Sequence, residues 1–85
     1  MKTVTIYTKD TCPYCDAALA LLRKKNAAFE QIKVDGDPAA QKAMSARANG
    51  RTSVPQIFIG AEHVGGCDDF YALDSQGRLD AMLAA

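Results

Sequence analysis

Apolar and polar side chains alternate through Thr3-Val4-Thr5-Ile6-Tyr7, the two-residue period of a strand rich in β-branched and aromatic residues. Thr8 to Thr11 are polar and read as a loop. The period then lengthens. Cys15, Ala18, Leu19 and Leu22 recur at i, i+3, i+4 and i+7, which predicts a helix from Pro13 to about Lys25 with one stripe turned to a core. Pro13 suits the first helical position, where no N–H is needed, and Arg23, Lys24 and Lys25 place positive charge at the negative end of the helix dipole. Phe29 to Val34 read as a second strand. Asp37 and Pro38 open another helix as N-cap and first residue; its stripe of Ala40, Ala43, Met44 and Ala48 is thin, and Gly50 is placed to end it. Gln56-Ile57-Phe58-Ile59 and Glu62-His63-Val64 read as short strands joined around Gly60-Ala61. A last helical segment follows Gly65-Gly66, carries Asp68 and Asp69 in its first turn, breaks near Gly77 and resumes.

The order β-α-β-α-β-β-α belongs to the α/β class. It predicts a parallel strand pair followed by an antiparallel hairpin in one four-stranded mixed sheet, with helices flanking both faces. No linker, repeat or low-complexity tract interrupts the chain, so residues 1–85 are expected to form a single domain. At that length one core is marginal but feasible. Ten basic residues balance ten acidic ones, which offers no field for nucleic acid or an anionic membrane. With no apolar run of about 18 residues and no signal-like segment, a cytoplasmic location is expected.

Three cysteines are an odd number and too few for a disulfide framework. Two of them stand in Cys12-Pro13-Tyr14-Cys15, after the first strand and at the mouth of the first helix. That spacing suits a reversible dithiol/disulfide pair, and its place in the chain is thioredoxin-like. Helix-start N–H groups favour a thiolate, lowering a thiol pKa well below its free value of about 8.5. The helical period separates the two sulfurs: Cys15 lies on the inward stripe, while Cys12 sits outside it at the N-cap. Cys12 is therefore expected to be the exposed nucleophile and Cys15 the protected resolving thiol. Lys9 can add positive charge near Cys12, and Tyr14 an aromatic wall beside it. A zinc site would need Cys67 and His63 as well, and their spacing fits no structural zinc pattern, so no metal is expected. His63 reads as a solvent-facing residue of an edge strand, Cys67 as a packing or capping thiol, and Asp69 as a helix-start charge.

Three separated segments carry a resemblance: CPYC at 12–15, TSVPQIFIG at 52–60 and GGCDD at 65–69. Together they resemble the glutaredoxin family in its dithiol class, over the whole chain. The closing stretch FYALDSQGRLDAML is similar to that of the small bacterial type. The resemblance implies a thioredoxin fold and a glutathione-dependent thiol–disulfide oxidoreductase that reduces protein disulfides and glutathione mixed disulfides. It implies a cis Val54–Pro55 bond, with the Val54 backbone turned outward to pair with glutathione as an added strand. Ser53 stands where the family more usually has Thr. The helix start at Gly66, Cys67 and Asp68 suits the γ-glutamyl end of glutathione, its N–H groups taking the carboxylate and Asp68 the ammonium. Lys9 is the expected cation for the glycine carboxylate, helped by Lys42 or Arg47. The glutathione contacts implied are thus Lys9, Tyr14, Ser53, Val54, Pro55, Gly66, Cys67 and Asp68.

No bound cofactor is implied, only glutathione as reducing co-substrate. The partners implied are disulfide-containing or glutathionylated proteins, ribonucleotide reductase among the family-level possibilities, acted on by a monomer. Two rivals remain. One is a protein reduced by thioredoxin reductase, against which GGCDD speaks; the other is an iron–sulfur carrier, against which Pro13 speaks.

Overall fold

The computed structural model describes residues 2–85. Strand β1 (Val4–Thr8) leads into helix α1 (Pro13–Lys24), and β2 (Phe29–Lys33) into α2 (Pro38–Arg47). Then follow β3 (Gln56–Ile59), β4 (Glu62–Gly65), α3 (Cys67–Ser75) and α4 (Leu79–Ala84). The four strands form one sheet in the order β2-β1-β3-β4. β1 runs parallel to β2, pairing Val4 with Phe29 and Tyr7 with Ile32. It runs antiparallel to β3, pairing Val4 with Ile59 and Tyr7 with Gln56. β3 and β4 form the antiparallel hairpin. The expected mixed sheet is present, with β1 at its centre.

Strand alternation divides the interior in two. On one face Val4, Ile6, Ile57 and Ile59 pack with Ala18, Leu19 and Leu22 of α1, Phe70 of α3, and Leu79 and Leu83 of α4. Each fully buried large side chain here stabilises the fold by about 1.5–3 kcal/mol. All four residues of the expected α1 stripe are buried, and Leu21 widens it. The opposite face is thinner: Tyr7, Val34 and Phe58 meet Met44 of α2 and Ala48 at its C-cap.

One expectation about packing is corrected. Ala43 is exposed, because α2 meets the sheet along Ala40, Met44 and Ala48, an i, i+4, i+8 row that excludes it. Alanine-rich α2 has strong helix propensity but little apolar contrast, so its inward face is poorly marked. Phe29 of β2 is half-buried and packs against the larger core, with the Arg23 guanidinium 6.0 Å above its ring.

The chain tops its helices economically. Cys12 caps α1 and Asp37 caps α2, each followed by proline at the first helical position. At the far end of α1, the Lys25 ammonium bridges Asp74 at 2.7 Å and Asp80 at 3.0 Å, tying α1 to α3 and α4. The Tyr71 hydroxyl donates to the Ala17 carbonyl at 2.8 Å, a second tie between α3 and α1.

Candidate active site

The β1–α1 loop delivers the cysteine pair. Thr11 adopts a positive φ of 53°, which turns the chain sharply into Cys12. Asp10 anchors the approach: its amide donates to Asp35, and its carboxylate accepts from Lys33 at 2.8 Å. That bond raises the Lys33 pKa above 10.5 and balances a negative charge two residues from Cys12. Cys12 itself has extended backbone (φ −125°), and its Sγ accepts the Cys15 N–H at 3.1 Å. Cys12 and Cys15 are joined as a disulfide with Cα atoms 5.2 Å apart. Cys12 is half-buried whereas Cys15 is fully buried, the asymmetry expected from the helical period.

A cleft of about 350 Å³ opens beside this pair. Tyr14, exposed over 66% of its surface, forms one wall. Ser53, Val54 and Pro55 form the second, with the Val54–Pro55 peptide bond cis. The Val54 N–H and C=O pair with no other group among the described residues, so this backbone edge is available to a ligand.

The third wall is the start of α3. Gly66 is the N-cap, and the Asp69 carboxylate reaches back to accept the Gly66 N–H at 3.0 Å. Arg51 approaches the same carboxylate at 3.4 Å. Gly65 must be glycine, since its φ is +119° and a Cβ there would collide with Asp69 and come within 2.9 Å of Arg51. Cys67 and Asp68 complete the wall. Cys67 is buried, and burial, seconded by the Asp68 charge, pushes its thiol pKa above 9.0. It therefore stays protonated near neutrality.

Residues 4–64 match the glutaredoxin family. Over 83 residues the chain is 55% identical to glutaredoxin 3 of Escherichia coli, covering 98% of this chain and 99% of that protein. The chain belongs to the glutaredoxin family. It is thus a thiol–disulfide oxidoreductase, with Cys12 and Cys15 as its disulfide-forming pair. The solution structure of a Brucella melitensis glutaredoxin superposes with a TM-score of 0.84 at 51% identity, covering 98% of this chain and 89% of that one. A buckwheat glutaredoxin crystallised as a glutathione complex superposes with a TM-score of 0.85 at 29% identity, covering 95% of this chain and 76% of that one. Sheet order, helix placement and the cis-proline edge give this chain the thioredoxin fold of these glutaredoxins.

Of the residues singled out from the sequence, Tyr14, Ser53, Val54, Pro55, Gly66, Cys67 and Asp68 all line the cleft. Lys9 instead borders an adjacent shallow depression with Val34, Asp37 and Gln41. Arg47 is engaged elsewhere: it donates to the Tyr7 hydroxyl at 3.0 Å, and its guanidinium sits 4.2 Å from the centre of the Phe58 ring. Lys42 is exposed and does not line the cleft. Arg51, missed in the sequence, is the cation that does line it. Its one signal is position, immediately before Thr52-Ser53-Val54-Pro55.

His63 corrects another expectation. It does lie on an edge strand, but it is half-buried rather than open to solvent. Its ring rests on Phe58 with centroids 4.9 Å apart, and its Nε2 lies 2.7 Å from the buried Gln56 carboxamide. His63 stands directly opposite Phe58 in the regular part of the hairpin, ahead of the bulge in β4, so its ring shares the face that α2 covers only in part. Burial and the Arg51 charge lower the His63 pKa, with Asp69 opposing them. Among the described residues no cluster of His, Cys, Asp and Glu could hold a metal ion, and no helix is long and apolar enough to cross a membrane.

Proposed function

We propose that this protein reduces glutathione mixed disulfides and protein disulfides with glutathione as electron donor, acting as a monomer in the cytoplasm. The observation that carries the reading is the Cys12 sulfur, held as a helix cap beside a cleft whose Val54 backbone edge is unpaired. The Cys15 N–H that meets this sulfur, with the positive end of the α1 dipole, stabilises a Cys12 thiolate in the reduced enzyme.

The thiolate attacks the glutathione sulfur of a glutathionylated protein. A Cys12–glutathione disulfide forms, and the substrate leaves as a thiolate that takes up a proton. A second glutathione thiolate then attacks the glutathione sulfur, releasing oxidised glutathione and regenerating Cys12. With a protein disulfide, Cys12 first forms a mixed disulfide with the substrate. Cys15 loses its proton and attacks Cys12, expelling the substrate thiolate and closing the Cys12–Cys15 disulfide. Two glutathione molecules reopen it. No resident metal or cofactor takes part in either route.

Glutathione is assigned to the cleft through its peptide character. Its backbone pairs with Val54 as an added strand. Its γ-glutamyl carboxylate meets the N–H groups of Cys67 and Asp68 in the first turn of α3, and its ammonium meets the Asp68 side chain. Arg51 supplies positive charge from within the cleft; Lys9 approaches the ligand only from the neighbouring depression. Ribonucleotide reductase is one protein substrate compatible with this chemistry.

Steady-state turnover of a small glutathione mixed disulfide tests the reading. Glutathione as sole reductant should give saturable activity, while thioredoxin and its reductase should give none. The reverse pattern would overturn it. A coloured, cluster-bearing dimer after anaerobic purification would support the iron–sulfur reading instead.

A further inference from the structure

Gln56 follows the cis-proline directly and is fully buried at the start of β3. Its carboxamide is used at both ends. The Nε2 donates to the Ser53 carbonyl at 3.0 Å and approaches the Ser53 hydroxyl at 3.4 Å. The Oε1 lies 2.7 Å from His63 Nε2 on the neighbouring strand. Because the amide nitrogen is committed to a carbonyl, Oε1 must accept, and His63 must carry its proton on Nε2. Flipping the amide would set oxygen against oxygen at Ser53 and N–H against N–H at His63. Leaving such buried groups unpaired costs about 1–3 kcal/mol each. The Ser53 carbonyl therefore sets which way Gln56 faces, Gln56 sets the His63 tautomer, and the His63 N–H holds the carboxamide in place.

This small relay joins two walls of the cleft. Ser53 begins the segment whose next residue, Val54, presents the open backbone edge. His63 lies two residues before Gly65, where the chain turns toward the α3 start. We propose that Gln56 and His63 are a positioning pair: they fix the Ser53–Val54 backbone in the orientation that receives the peptide of glutathione, and lock it to the strand leading to Gly66. The proposal rests on the glutathione reading above, and neither side chain touches the reacting sulfurs. His63 is uncharged near neutrality, since burial and Arg51 both oppose its protonation, so the choice of tautomer is a real variable.

His63 is the sole histidine of the chain, so its ring nitrogens are read by NMR without competition. In the wild type they should report a single Nε2–H tautomer, and in Gln56→Leu a mixture. Gln56→Glu keeps the size and the acceptor for His63 but removes the donor to Ser53. It should raise KM for glutathione about tenfold, in line with one ordinary hydrogen bond, while kcat stays within about twofold. His63→Phe keeps the stack on Phe58 but loses the bond; its KM should rise by a smaller factor, about threefold. His63→Gln, which again offers an N–H, should restore most of the loss.

Reduction of a protein disulfide driven by dithiothreitol, in which no glutathione enters the cleft, should be unchanged in Gln56→Glu, His63→Phe and His63→Gln. Equal losses with dithiothreitol and glutathione would mean general damage and overturn the proposal. So would an unchanged KM in both Gln56→Glu and His63→Phe, or an Nδ1–H tautomer in the wild type. Failure of the function reading looks different: the wild type itself would not use glutathione, and the tautomer would then decide the pair alone.

Discussion

Helices α1 and α3 begin at the same cleft, and each brings a cysteine to it. At α1 the cysteine is the N-cap, half-buried, with its sulfur accepting the Cys15 N–H. At α3 it is one residue later, behind a glycine N-cap, and buried. Cys67 has its thiol pKa raised by burial and by Asp68, while at its helix start the Gly66 N–H donates to the Asp69 carboxylate, not to a sulfur. A third helix start explains the difference. α2 opens with Asp37-Pro38 as α1 opens with Cys12-Pro13, and the Asp37 carboxylate accepts the Ala40 N–H at 3.0 Å. Cys12 thus occupies a seat made for an anion. One residue of displacement, and the burial that accompanies it, separates a capping sulfur from an enclosed one.

The sharpest way to break this comparison is to put the ordinary cap back. Cys12→Asp should abolish turnover of both mixed disulfides and protein disulfides, a loss on the order of 10³-fold or more. Its urea midpoint should equal or exceed that of the reduced wild type, because aspartate is at least as good an N-cap. A clear loss of stability would show that the Cys12 sulfur does not act as an anionic cap. Alkylation comes next in size. In the reduced protein at neutral pH, iodoacetamide should modify Cys12 first and leave Cys67 intact, as read by peptide mass. The thiolate of Cys67 appears only as pH rises through a value above 9.0, so its labelling should begin there or on unfolding. Labelling of Cys67 together with Cys12 at neutral pH would erase the distinction.

The smallest effects separate the two acidic helix starts. Asp37→Ala and Asp69→Ala should each cost about 1 kcal/mol in denaturant unfolding. Only Asp69→Ala should also raise KM for glutathione, since only it loosens Gly66 and Arg51 at the cleft. Equal kinetic effects would deny α3 its special place.

Much of this arrangement was legible in the chain. The α1 stripe separated Cys15 from Cys12 because leucine and alanine at helical spacing contrast strongly with their charged neighbours. The Asp37-Pro38 start carried its own signal for the same kind of reason, a capping side chain followed by proline. What stayed hidden depended on packing across the sheet. Residues 48–55 form an irregular connection with no period, so nothing in it marked Arg51 as facing the cleft. Its edge strand marked His63 as solvent-facing, whereas direct pairing with Phe58 sets its ring on the half-covered face of the sheet. Arg47 looked like a free cation because helix position cannot show that Tyr7 and Phe58 wait beneath it. The cis Val54–Pro55 bond was expected only through family resemblance, since most prolines in such a setting are trans.

The thin contact under α2 has a consequence for motion. Met44 is the helix's one fully enclosed residue, and local opening costs least where few apolar contacts must be given up. α2 is therefore the element most ready to fray while the larger core stays closed. The connection that carries Arg51 and Ser53 hangs from its end, held on the other side by β3. The cleft is thus walled by two firmly packed helix starts on one side and, on the other, by a connection whose footing is the least anchored helix of the fold.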